Sequence, residues 1–142
     1  MIVALVLLTM AGAHPAPQPA DRPAVARPAA VATVRERRPI VPPSLIETIP
    51  ADLQQATVCA AHMELLLEKL SARDENPDAS FLLVQEYWQS RLPDPEGEDA
   101  VSQDAFVGIK QSLYDAADSV PQRYLQGLQA CVVAAARGGA LE

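Results

Sequence analysis

The chain reads as an all-α protein: a small antiparallel four-helix bundle behind a cleaved signal peptide and a disordered Pro/Ala-rich tether. Three observations predict this. Aromatic residues are only 4% of the chain while hydrophobic residues are 49%, so the core must be built mostly of Leu, Val and Ala, which favours helix over strand. In the second two thirds of the chain the apolar residues recur with a helical period over four separate stretches. Cys59 and Cys131 fall on the apolar faces of the first and last of these stretches, where a cross-link between them would close the bundle.

At 142 residues there is room for one modest domain. The net charge of −7 is uneven. Residues 1–43 carry five basic and two acidic groups, about +3, and the remainder carries 6 basic and 16 acidic, about −10. An acidic body excludes nucleic acid as the expected partner, because phosphates need Lys and Arg.

Residues 1–13 read as a signal peptide. Ile2 to Leu8 is an unbroken apolar run, followed by the small residues Ala11-Gly12-Ala13 that suit a cleavage site. The run is too short for a transmembrane span, which needs roughly 20 apolar residues. No Lys or Arg precedes it, so the terminal amine or an upstream start must supply the positive end. Cleavage after Ala13 would leave His14 as the new terminus. Its amine and imidazole suit Cu(II), but Pro15 removes the next amide as a ligand.

Residues 14–43 read as a disordered tether. Eight of the 13 prolines lie here, and each removes a backbone donor and fixes φ. The expectation is an extended, partly polyproline II segment. Arg35, Arg37 and Arg38 form a basic cluster that suggests weak contact with an anionic surface, against the plainer reading of a soluble spacer.

The helical domain is expected over 44–142. Ser44 and Glu47 have capping-box spacing and suggest a short turn. The first long helix is expected from Ala51 to Arg73, with Leu53, Ala56, Cys59, Ala60, Met63, Leu66, Leu67 and Leu70 inward and His62, Glu64, Glu68 and Lys69 on the polar side. Asn76-Pro77-Asp78 signals the second start: cap, proline in the first turn, early carboxylate. Its inward face is Phe81, Val84, Trp88 and Leu92, and Pro93 stops it. The third helix runs from about Ala100 to Asp118, with Ala105, Ile109, Leu113 and Ala116 inward. The fourth spans Pro121 to Arg137, opened by the capping-box spacing of Ser119 and Gln122 and closed by Gly138. Short links imply that successive helices are antiparallel neighbours.

In that topology Cys59 lies roughly 13 Å from the start of its helix and Cys131 roughly 9 Å from the end of its own, at the same end of the bundle. A disulfide between them follows if the protein is exported to an oxidising compartment. In the chain-entropy model it would stabilise the fold by roughly 4 kcal/mol.

Other chemistry is sparse. Cys59, His62 and Met63 are soft ligands on one side of a helix, and with Cys131 they define an alternative copper site. No cofactor motif is present. The Glu-x-x-His pair of di-iron bundles and the C-x-x-C-H haem motif are absent, and no serine sits in a G-x-S-x-G elbow. The acidic loop Asp94 to Asp99 lacks calcium-loop spacing and reads as a solvated linker. Glu64 and Glu68, one turn apart, are the carboxylates an unrecognised enzyme would use. Val58, Leu65 and Leu83 fall off the apolar stripes and suggest a partner surface if contiguous.

The reading is therefore a non-catalytic binding or accessory protein of the bacterial envelope, periplasmic or secreted, whose partner is another envelope protein. The alternatives are a soft-metal binder and an enzyme. Mass spectrometry of the exported protein should find a chain beginning at His14; an intact Met1 on exported material would remove the compartment argument.

Overall fold

The computed structural model describes residues 38–142. The expected signal peptide with its cleavage after Ala13, the new terminus at His14, the tether as far as residue 37, and Arg35 and Arg37 lie outside the described residues. Among those described there are five helices and no strand: α1 (Pro43–Ile46), α2 (Gln54–Ser71), α3 (Ala79–Gln89), α4 (Gln103–Ser119) and α5 (Pro121–Arg137). The folded unit begins at Arg38, ahead of the expected boundary at residue 44. Ile40 and Val41, read as the end of the tether, are half-buried and pack against the core. Two β-branched side chains beside an apolar surface gain more from burial than two flanking prolines prevent.

α2 is the central helix. It packs against α3, α4 and α5, while α5 also packs against α3 and α4, and α1 against α4. Its middle is therefore enclosed nearly all round: Ala56, Thr57, Cys59, Ala60, Ala61, His62, Met63 and Leu65 are all buried. The small alanines let neighbouring backbones approach closely. This overturns the one-sided wheel expected for the first helix. Leu66, Leu67 and Leu70, expected inward, are half-buried, whereas His62, placed on the polar side, is inside.

Contacts between side chains give the helix directions. Cys59 meets Cys131, and His62, further along α2, meets Tyr124, earlier in α5, so these two helices are antiparallel. Glu64 and Glu68 meet Lys110 while Lys69 meets Tyr114, so α2 and α4 run the same way. The expected neighbours α3 and α4 make at most a marginal contact. The reason lies in residues 90–102 between them: at up to roughly 3.3 Å per residue, that link can carry the chain across α2.

Helix ends explain the remaining boundary shifts. Asp78, and not Asn76, caps α3: its carboxylate accepts from the Ser80 backbone N–H at 2.8 Å and from the Ser80 hydroxyl at 2.7 Å. Those hydrogen bonds, chiefly the backbone one, lower the Asp78 pKa. Neither expected capping box forms. Pro42 precedes α1 with no side-chain cap, and the Ser119 hydroxyl donates back to the Asp115 carbonyl at 2.7 Å. Val120 alone, at φ −140° and ψ 59°, separates α4 from α5. α2 starts late, at Gln54, whose side-chain amide donates to the Ile46 and Ile49 carbonyls and ties the α1 segment to α2.

Two helices end in Schellman motifs. After α5, Ala140 N–H donates to the Ala135 carbonyl and Gly139 N–H to Ala136, with Gly139 at φ 91°. The left-handed residue is thus Gly139, one beyond the expected Gly138. After α2, Glu75 N–H donates to Leu70 and Asp74 N–H to Ser71, and the left-handed residue is Asp74, at φ 55°. A side chain there is strained relative to glycine. Asp74→Gly should therefore stabilise the protein by roughly 0.5–1 kcal/mol, relief of strain exceeding the added freedom of the unfolded chain. A urea midpoint that falls or does not move would contradict this.

Candidate functional site

The sequence-predicted residues separate into three places on α2. The first is the covalent junction. Cys59 Sγ and Cys131 Sγ are 2.05 Å apart, with Cα atoms 5.4 Å apart. Trp88 is buried beside them and its Nε1–H donates to the Cys131 carbonyl at 3.2 Å. One residue of α5 is thus held by α2 through sulfur and by α3 through a hydrogen bond. The cysteine pair also forms part of a groove of about 360 Å³, with Ile46, Gln54, Val58 and Ala130 on its walls.

The second place is the α2–α5 seam. His62 is only 3% exposed. Its ring centroid lies 5.2 Å from that of Tyr124, with 36° between the planes. On the same face of α5 is Gly127, where a β-carbon would sit 3.0 Å from His62 Nε2. His62 Nδ1 and the Tyr124 hydroxyl are both buried without a hydrogen-bond partner among the described residues. Burial lowers the His62 pKa from 6.5 to about 4 and raises that of Tyr124, so both are neutral at pH 7.

The third place is the α2–α4 seam. Lys110 Nζ donates to Glu64 Oε1 at 2.8 Å and to Glu68 Oε1, so one cation spans both carboxylates. Burial pulls the Lys110 pKa down, but the hydrogen bonds and charges of the two glutamates outweigh it and the net shift is upward. Next to them the Lys69 ammonium lies 4.7 Å from the Tyr114 ring centroid.

These placements revise the alternatives. Cys59 and Cys131 are bonded to each other and Met63 is wholly buried, so in this state the four proposed soft ligands do not converge as open donors. Among the described residues no group of three or more His, Cys, Asp or Glu is arranged to hold a metal ion. Glu64 and Glu68, the carboxylates an enzyme would use, both meet Lys110. The three partner-surface residues do not share a surface. Leu65 is buried, 2% exposed, Val58 is half-buried in the groove wall, and Leu83 is 47% exposed on α3. A helix packed on three sides has little outward face to spare, which is why α2 kept its off-stripe apolar residues in. In the acidic loop, the Asp94 carboxylate accepts from Glu96 N–H at 3.0 Å in a local turn, and residues 94–99 are exposed.

Lys110, Tyr124 and Gly127 were not singled out as site residues, though two of the three were legible. Once Cys59 is paired with Cys131 in antiparallel register, three steps along α2 to His62 correspond to a turn or two back along α5, to Gly127 and Tyr124. Lys110 carries no such signal, since its role depends on α4 lying beside α2.

Cys59→Ser and Cys131→Ser should each destabilise the protein by a similar amount, up to roughly 4 kcal/mol, and the double variant by little more, since either change removes the whole cross-link. Losses that add in chemical denaturation would show that the two sulfurs contribute separately. No protein-family model, curated protein or solved structure matches the chain.

Proposed function

We propose that this protein is an exported helical module of the bacterial envelope, braced by one disulfide, which acts by binding another envelope protein and not by catalysis. In this reading the four long helices form an antiparallel bundle that presents a rigid surface. The observation that carries it is that the side chains best suited to acid–base chemistry are taken up in holding helices together. Glu64 and Glu68 are bridged by Lys110, and His62 is closed between α2 and α5. Export is supported by the apolar run and small residues before His14 and by the disulfide distance of the cysteine pair, since such bonds persist in oxidising compartments. No helix among the described residues is long and apolar enough to cross a membrane. A weak contact of Arg35, Arg37 and Arg38 with anionic lipid belongs to the same reading.

Chemical cross-linking of the whole chain in an intact envelope fraction, followed by alkylation of free thiols, tests both parts. The expected result is one discrete adduct of higher mass and no alkylated cysteine. Monomer alone would overturn the binding role. Two alkylated thiols would overturn residence in an oxidising compartment.

A further inference from the structure

The α2–α5 seam is held differently at its two ends. Toward the end of α5 the Cys59–Cys131 bond pins that helix to α2, and α3 holds the same stretch through the Trp88 hydrogen bond to the Cys131 carbonyl and the close approach of Tyr87 to Gly138. Toward its start the α2–α5 packing runs through His62, whose ring meets Tyr124 and lies against Gly127. That packing suits a neutral imidazole. An imidazolium would place a charge in this seam and leave its Nδ1–H buried without an acceptor among the described residues.

The surroundings offer no compensation. From α5 the titratable group facing His62 is Tyr124, neutral throughout the acid range, with the cation Arg123 next in sequence. The buried side chains of α3 are Val84 and Trp88, and those of α4 are Ala105, Ile109, Leu113 and Ala116, none of which titrates. On α2 itself Glu64 and Glu68 are engaged by Lys110. Burial alone sets the His62 pKa.

We propose that His62 is a proton-operated latch: acidification drives it out of the seam and frees the Pro121–Ala130 half of α5 from α2, while the half from Cys131 onward stays pinned. The sign follows from the direction of the shift. The latched form binds the proton less tightly than the open form, so latching is complete above pH 6.5 and weakens as pH falls toward about 4. The limiting change in the ratio of open to latched forms is on the order of 300-fold, at tenfold for each unit between those two values. Opening would expose the core faces of Tyr124 and Leu128, which are buried in the latched form, and so add an acid-dependent apolar surface. This inference does not rest on the envelope-binding reading.

Amide hydrogen exchange on the full chain at pH 7 and pH 4.5, corrected for intrinsic rates, tests it. Residues 122–130 should lose protection by tens of fold at the lower pH, while residues 132–137 and α3 keep theirs. His62→Leu should abolish the difference. Should that variant fail to fold, NMR titration of the His62 ring in the wild-type chain decides: the ring and the protection of residues 122–130 should titrate together. Uniform loss across all helices, retained protection at pH 4.5, the same loss in His62→Leu, or loss while the ring is still neutral would each overturn the proposal.

Discussion

Everything in the helical unit is arranged around the need to enclose α2 on three sides. A helix so placed must be narrow where its neighbours approach, and Ala56, Ala60 and Ala61 supply that. It must also be held in register along its length, and the Cys59–Cys131 bond sets that register against α5. Trp88 then joins α3 to the same residue of α5, so three helices meet at one point. Enclosure has a cost. Polar residues in the middle of α2 have nowhere to go, and the two that are buried meet this differently. The Thr57 hydroxyl donates to the Leu53 carbonyl one turn back, at 2.7 Å. His62 has no such local partner for Nδ1, and a buried polar group left this way is a standing liability of about 1–3 kcal/mol.

Much of this was legible in the residues, for reasons that can be named. The inward face of α4, Ala105, Ile109, Leu113 and Ala116, is legible because its buried residues form a single apolar stripe at helical spacing. The bounds of α5, Pro121–Arg137, are legible because Pro121 can start a helix and cannot continue one, and because the glycines beyond Arg137 end it. The cysteine pairing is legible from matched heights on two helices expected to be antiparallel neighbours, and those two helices do pack antiparallel.

What was not legible is equally specific. An amphipathic wheel assumes a wet side, and α2 has almost none at its centre, so the wheel puts His62 and Leu65 outside although both are buried. The expected neighbour order fails because it rests on short links between successive helices, and the connection over 90–102 is long enough to cross the unit. The capping boxes failed because Ser44 and Ser119 had the right spacing but other uses of the backbone were available. In each case a local pattern lost to an arrangement set by distant parts of the chain, the usual way tertiary structure overrides sequence propensity.

The bond between Cys59 and Cys131 spans a sequence separation of 72 and so places the whole of α3 and α4 inside one covalent ring. The exposed loop from Asp94 to Asp99 and the turn around Asp74 both lie on that ring. A protease that cuts either of them opens the ring without parting the molecule, because the two fragments remain joined through sulfur. The most accessible stretches of backbone between the helices are therefore also places where a single cut releases nothing, and the helices on either side keep their partners at hand. For a protein in a compartment rich in proteases, nicking and dissociation would be separate events, the second waiting on a reductant.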